Sequence, residues 1–218
     1  YDFDSLTIDL QHGLVDYQTA LSMLQAMTAS GITPLARAPW NEPGIIMKLL
    51  DAGCLGIICP MINTAEDAKT FVDTTRYAPQ GSRSSGPTRA ILIHGSDYHH
   101  QANDTIVSLA MIETVEALGN VDAICATDGL TGLYVGPSDL AVSMGHNPGL
   151  DRTEPDVDEA IGKILATAKK HGRKAGIHCG TPEYLKASYA RGFDFATLAS
   201  DVLMIGQAIG MNVNAVRG

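Results

Sequence analysis

The chain has 218 residues, 45% of them hydrophobic and 18% charged, with a formal net charge of −9. A chain of this length can build one large core, and α/β barrels of similar size form a single domain, expected here over 1–218. The acidic balance argues against nucleic acid and anionic membrane as partners, since both require clustered Lys and Arg. No apolar run approaches the roughly 20 residues that span a bilayer.

Four cysteines (Cys54, Cys59, Cys125 and Cys179) stand singly, without a CxxC pair. This usage indicates buried free thiols in a reducing compartment, hence a cytoplasmic protein. No signal peptide is visible at the start of the sequence.

Read in order, the chain repeats a short apolar strand, a polar residue, an amphipathic helix and a glycine. Ser5–Leu10 is a strand, followed by a helix over about 16–30 that Gly31 stops. Pro34–Ala38 is the next strand, then a helix over Glu42–Ala52 stopped by Gly53. Gly56–Pro60 is apolar throughout, as a parallel strand covered on both faces must be. Thr64 opens a helix with Glu66 and Asp67 in its first turn, where acidic residues are favoured.

Between Tyr77 and Asp104 the rhythm breaks into an irregular insert holding Gly81, Arg83, Gly86, Arg89 and the surface or gate residues His94, His99 and His100. It resumes with a strand over 106–112, a helix over about 114–127 and a strand over 132–136. Next come a helix over about 156–171, a strand over 175–179, a helix over 182–190, a strand over 195–199 and a last helix over about 201–216. Alternating β and α units with short loops predict a parallel sheet, and polar residues after nearly every strand favour closure into a (β/α)₈ TIM barrel. Seven strands are counted, so the first βα unit is expected to be missing. The last helix is apolar around more than one face, which suits burial against another subunit or against that missing unit.

Active sites of such barrels lie at the carboxyl ends of the strands. The residues there are Asp9, Gln11 and His12; Arg37; Met61 and Asn63; Glu113; Ser138 and Asp139; and His178. Glu113 and Asp139 follow neighbouring strands, and two carboxylates with open positions for water and a chelating substrate suit octahedral Mg²⁺ or Mn²⁺. Alone, each would more often cap a helix or pair with a cation. The turn Gly136-Pro137-Ser138 offers main-chain N–H groups to a small carboxylate. Arg37, in the apolar run Pro34–Pro39, is placed as an anion or enolate stabiliser, with a structural ion pair as the competing reading. His12 can act as a general base if Asp9 or Asp51 orients it; a lone histidine is more often a satisfied hydrogen-bonding group.

Taken together, Asp9-x-Gln11-His12-Gly13, Arg37-Ala38-Pro39, Leu50-Asp51-Ala52-Gly53, Pro60-Met61, Gly81-x-Arg83-x-x-Gly86, Ile112-Glu113-Thr114 and Gly136-Pro137-Ser138-Asp139-Leu140 resemble the HpcH/HpaI class II pyruvate aldolases over essentially the whole chain. The resemblance implies a (β/α)₈ barrel and a homo-oligomer, a hexamer exchanging its last helix between subunits. It implies metal ligands at Glu113 and Asp139, a base at His12 oriented by Asp51, an enolate-stabilising Arg37, and Asp9 beside the metal-bound water. Two departures are Gln11, where members often have Glu, and Met111, where many have a Gln that would help orient the keto acid. His178 stands where smaller apolar residues are common and would shape the aldehyde pocket.

The expected activity is therefore retro-aldol cleavage of a 4-hydroxy-2-oxo acid to pyruvate and an aldehyde, with Mg, Mn or Co as cofactor. No lysine follows a strand where a Schiff base would form. Competing readings are an acyl-CoA lyase of the malyl-CoA or citrate-lyase type and a non-catalytic keto-acid-binding barrel. The first would need a basic nucleotide surface; the second has no use for His12 and Arg37.

Overall fold

A computed structural model describes residues 1–217. Seven parallel strands form one sheet in chain order: β1 Ser5–Asp9, β2 Thr33–Arg37, β3 Gly56–Cys59, β4 Val107–Ile112, β5 Gly132–Val135, β6 Lys174–Cys179 and β7 Phe195–Leu198. The sheet curls into a half-barrel, and no ladder joins β7 to β1 among the described residues. The two ends differ from the middle: every residue of β3 and β5 is buried, whereas every residue of β7 is only half-buried.

Helices cover the convex face. They are α1 Tyr17–Met27, α2 Pro43–Asp51, α3 Ala65–Thr75, α4 Thr88–His94, α5 Tyr98–Thr105, α6 Val115–Gly119, α7 Val121–Cys125, α8 Pro137–Ser143, α9 Pro155–Lys170, α10 Pro182–Arg191 and α11 Asp201–Arg217. Their starts are set by local chemistry. Asp16 caps α1 through the Thr19 N–H at 2.9 Å, and Glu42 caps α2 ahead of Pro43. Thr64 and Asp67 form a reciprocal capping box on α3.

Strand alternation separates two cores. Outward-facing residues such as Ile57, Ala110, Ile112, Leu133 and Ile177 pack with the helices around Leu49, Leu50, Phe71, Ile161 and Ile164. Inward-facing Ile58, Leu109, Met111 and Tyr134 form a smaller cluster, edged by Val107 and Phe195. At roughly 1.5–3 kcal/mol per fully buried aliphatic side chain, the outer layer holds the half-barrel together. The inner layer is the floor on which the strand-end residues stand.

Three expectations change. The segment from Tyr77 to Asp104 is irregular only in its first part, over 77–87; the rest contains α4 and α5. Ala90, Tyr98 and Ala102 are buried while Ile91 and Leu92 are exposed, and Arg89 ties α4 to the ends of α1 and α2 through Ala52 O, Leu24 O at 3.1 Å and Thr28 Oγ1 at 2.8 Å. Tertiary hydrogen bonds thus stabilise helices too short to show a period. The helix expected over 114–127 is two, broken at Asn120, whose side chain donates to Asn63 O at 2.9 Å. Pro137 begins α8 where only a turn was expected.

The last helix, α11, exists as expected, yet none of its side chains is buried. Val202, Leu203, Met204, Ile205, Ile209, Met211, Val213 and Val216 are exposed along it. No helix among the described residues is long and apolar enough to cross a membrane.

Candidate active site

The two-residue period of the strands decides which side chains reach the concave face. On β4, Leu109 and Met111 point inward, and Glu113 continues the series just past the strand end. On β1 and β2, Asp9 and Arg37 are register partners, so their side chains lie side by side. On β6 and β7, His178 and Thr197 are paired in the same way. β1, β2, β4, β6 and β7 therefore bring polar side chains toward the carboxyl-end rim.

At the β1–β2 side the rim is closed by an ion pair. Arg37 Nε donates to Asp9 Oδ1 at 2.8 Å and Nη2 to Oδ2 at 2.5 Å, a bidentate fork. Asp9 Oδ1 also accepts from the main-chain N–H of Gln11 at 3.0 Å and of His12 at 3.3 Å. Burial pulls the Asp9 carboxyl upward, but these donors outweigh it and hold it below its ordinary range. Burial likewise works against the Arg37 cation, and Asp9 more than restores it. The turn needs Gly13, because a Cβ there would lie 2.0 Å from the Asp9 carbonyl oxygen.

At the β4–β5 side the carboxylate is left open. Glu113 is 1% exposed; Oε1 accepts the Met61 N–H at 2.7 Å, and Oε2 is buried without any partner. Its pKa is pushed up to about 7, first by burial, then by the nearby Asp139 charge, with the Met61 N–H and Arg37 only partly offsetting them. Met61 itself is held at φ 55°, in the left-handed region, a strained conformation that aims its N–H at Glu113. Gly136 makes room: a Cβ would lie 2.5 Å from Glu113 Oε2 and 2.9 Å from Met111 Cε. Asp139 lies in the first turn of α8 and is exposed to the rim.

A buried acceptor without a donor, beside a second carboxylate, fits a divalent cation. No group of three or more His, Cys, Asp or Glu that could hold a metal occurs among the described residues. Two carboxylates with the remaining positions open match the preference of Mg²⁺ for water and ligand oxygens.

His12 is exposed, and its imidazole takes no protein hydrogen bond among the described residues. Asp51 is half-buried, and its Oδ1 accepts from Arg83 Nη2 at 2.7 Å. Arg83 is enclosed by Tyr98, whose hydroxyl lies 3.2 Å from Nη1 and Nη2, and by the Tyr77 ring, 4.4 Å from the guanidinium carbon. The structure thus joins Asp51 to Arg83, a contact that sequence alone did not suggest, and leaves Oδ2 uncommitted. Ser138 Oγ accepts the Gly149 N–H at 3.2 Å, and its own N–H is one of the first-turn donors of α8 that lack a helical partner. Pro137 is buried at the start of that helix. Met111, 2% exposed, packs beneath Glu113 and gives its carboxylate an apolar floor.

Two rim residues escaped sequence reading: Tyr134, on β5, and Thr197, on β7. They join His178 in a hydrogen-bonded chain, Tyr134 Oη to Thr197 Oγ1 and Thr197 Oγ1 to His178 Nδ1 at 2.6 Å. The available signal was the inward phase of Tyr134, two residues before Gly136. The half-barrel thus carries a bidentate acid–arginine pair and an open carboxylate pair on one rim.

A family model for HpcH/HpaI aldolase/citrate lyase matches residues 1–207. The hydroxypyruvate/pyruvate aldolase of Rhizorhabdus wittichii is 44% identical over 207 residues, 95% of this chain and 82% of that protein. The 5-keto-4-deoxy-D-glucarate aldolase of Shigella dysenteriae is 38% identical over 202 residues, covering 92% and 78%. In fold, an HpcH/HpaI aldolase/citrate lyase family protein from Burkholderia cenocepacia superposes with a TM-score of 0.91 at 31% identity, over 99% of this chain and 86% of that one. The chain belongs to the HpcH/HpaI aldolase/citrate lyase family. It is a carbon–carbon lyase of the aldolase type.

Proposed function

We propose that the protein is a metal-dependent aldolase that cleaves and forms 4-hydroxy-2-oxo acids, with pyruvate and an aldehyde as the two pieces. The partnerless, buried Oε2 of Glu113 beside Asp139 carries this reading. The names of the relatives, aldolases of hydroxypyruvate/pyruvate and of a keto-deoxy sugar acid, support it. Glu113 and Asp139 would hold a divalent cation (Mg²⁺, Mn²⁺ or Co²⁺), which when bound supplies Lewis acidity to the 2-oxo carbonyl.

The chain's own residues do the rest. Gly136 and Pro137 shape a turn in which the N–H groups of Ser138 and Asp139 meet the substrate carboxylate. His12 accepts the 4-hydroxyl proton, and Asp51, fixed by Arg83 through Oδ1, keeps Oδ2 for the imidazole. The C3–C4 bond breaks, its electron pair remains on C3, and the aldehyde departs past His178. Arg37, locked by Asp9, stabilises the enolate oxygen until C3 is protonated. Met111 leaves the keto acid without a side-chain amide, so the main-chain donors bear more of its orientation.

Two assembly statements accompany this reading. A further βα unit is proposed to sit between the unpaired edges of β1 and β7, completing eight strands. The exposed apolar α11 is proposed to pack on a neighbouring subunit in a homo-oligomer, a hexamer by family resemblance. The test of function is pyruvate release from 4-hydroxy-2-oxo acids with each metal, before and after EDTA. Activity is expected to vanish with chelator and return with Mn²⁺; pyruvate release indifferent to EDTA overturns the metal. His12→Ala is expected to lower kcat roughly 10²–10⁴-fold.

A further inference from the structure

The concave face holds a second polar construction, around His178, to which the reaction above assigns no hydrogen bond or proton transfer. Tyr134 is 3% exposed, and its hydroxyl has Thr197 as its protein partner. Thr197 Oγ1 in turn meets His178 Nδ1 at 2.6 Å. The far nitrogen, His178 Nε2, makes no protein hydrogen bond, yet it is not a buried orphan, so it is open to the rim. Arg37, Asp9 and Asp151 are the charged groups near this imidazole.

Proton placement in this chain is constrained. If Nδ1 carried the hydrogen and donated to Thr197, two arrangements remain. Thr197 could donate to Tyr134, which strands the tyrosine hydrogen in the core. Alternatively Tyr134 and His178 could both donate to Thr197, whose own hydrogen then has no protein acceptor among the described residues. Only one pattern gives every hydroxyl hydrogen an acceptor within the chain: Tyr134 donates to Thr197, and Thr197 donates to His178 Nδ1. Tyr134 is buried, so the arrangement that strands its hydrogen is strongly disfavoured; of the two that remain, only this one keeps every hydroxyl hydrogen inside the chain without calling on solvent at the half-buried Thr197. A protonated imidazole breaks this pattern, because its Nδ1 could not accept. Burial and Arg37 both push the imidazole pKa down, outweighing Asp9 and Asp151, which agrees.

We propose that Tyr134 and Thr197 are positioning residues that lock His178 as a neutral imidazole with its hydrogen on Nε2. That hydrogen is offered at the rim to an oxygen acceptor on the aldehyde partner, which selects hydroxylated or carboxylated aldehydes over alkyl ones. The specificity half of this statement rests on the aldolase reading; the tautomer half does not. An alkyl aldehyde would leave the Nε2–H without an acceptor where it displaces water, and sites built around a donor discriminate on that ground.

The tautomer is read by long-range ¹H–¹⁵N correlation spectra of the whole protein at pH 7.5, with the His178 signals assigned by their loss in His178→Asn. The Nε2-protonated pattern is expected in the wild type. It should become mixed in Thr197→Val and return in Thr197→Ser. In parallel, kcat/KM for aldol addition of pyruvate is compared between glyceraldehyde, glyoxylate and propanal. The ratios of glyceraldehyde and of glyoxylate to propanal are expected to fall roughly tenfold in Thr197→Val and in His178→Phe, the effect of one neutral hydrogen bond. Thr197→Ser restores both; a fall in only one ratio assigns the acceptor as hydroxyl or carboxylate. An Nδ1-protonated or charged His178 in the wild type overturns the proposal, as do ratios that neither variant moves. If no aldehyde reacts at all, the aldolase reading fails while the spectra still decide the tautomer.

Discussion

Two carboxylates stand at equivalent places, each just inside the rim, and are treated in opposite ways. Asp9 is saturated: a bidentate arginine and two main-chain N–H groups fill its lone pairs and keep it ionised. Glu113 is more deeply buried, receives one donor, and faces a second acid rather than a base. The first arrangement stabilises the folded protein by itself. The second costs folding stability on an otherwise apolar floor of Met111, Leu109 and Tyr134, a cost that the cation of the proposed function would offset.

Removing the open carboxylate should have the largest effect. Glu113→Gln is expected to lose Mn²⁺ binding, followed by electron paramagnetic resonance, and to lower kcat/KM by on the order of a thousandfold, since a metal supplies several kcal/mol to such transition states. Its metal-free Tm should equal or exceed that of the wild type, because an uncompensated acid has gone; a clear fall in Tm would place Glu113 among the structural groups.

Next in size, Arg37→Lys keeps the charge but breaks the fork on Asp9. It should lower kcat roughly 10²-fold with little change in metal affinity. Gly136→Ala drives a methyl group to within 2.5 Å of Glu113 Oε2. Mn²⁺ affinity measured by calorimetry should weaken about 10–100-fold, in line with other disturbances around metal ligands. Unchanged affinity would mean that the metal is held elsewhere.

The smallest effect, on stability, belongs to Asp9. Because the folded-state pKa of Asp9 lies below its ordinary 3.8, its stabilisation is present above that value and is lost as pH falls through the depressed one. Asp9→Asn should therefore lower Tm at pH 7 by about 2–4 °C, corresponding to roughly 1 kcal/mol for a chain of this size. The gap should close in acid. A gap that persists at low pH would show that shape rather than charge holds this corner.

Much of this was legible in the sequence because strands and helices announce themselves through period and punctuation. Gly31, Gly53, Gly172 and Gly192 end helical segments where expected, and each strand end lies within a residue or two of its apolar run. The position of the rim residues was legible because each lies at or just after the end of a strand that the apolar pattern marks. The helices over Thr88–Thr105 were missed, since their order comes from Arg89 and Tyr98 reaching residues far away in the chain. For the same reason the partner of Asp51 was not visible: Arg83 lies 32 positions distant.

What the sequence alone determined is the alternation of β and α units, the seven strands, and the identity of the acids, the arginine and the histidines beside them. Those properties are local, set by dihedral preference, periodicity and caps over a few residues. The tertiary structure decided which acid is satisfied and which is open, that Tyr134 and Thr197 are linked to His178, and that α11 finds no cover among the described residues. Charge state and proton position depend on what surrounds a group in three dimensions, and no pattern along one chain encodes that neighbourhood directly.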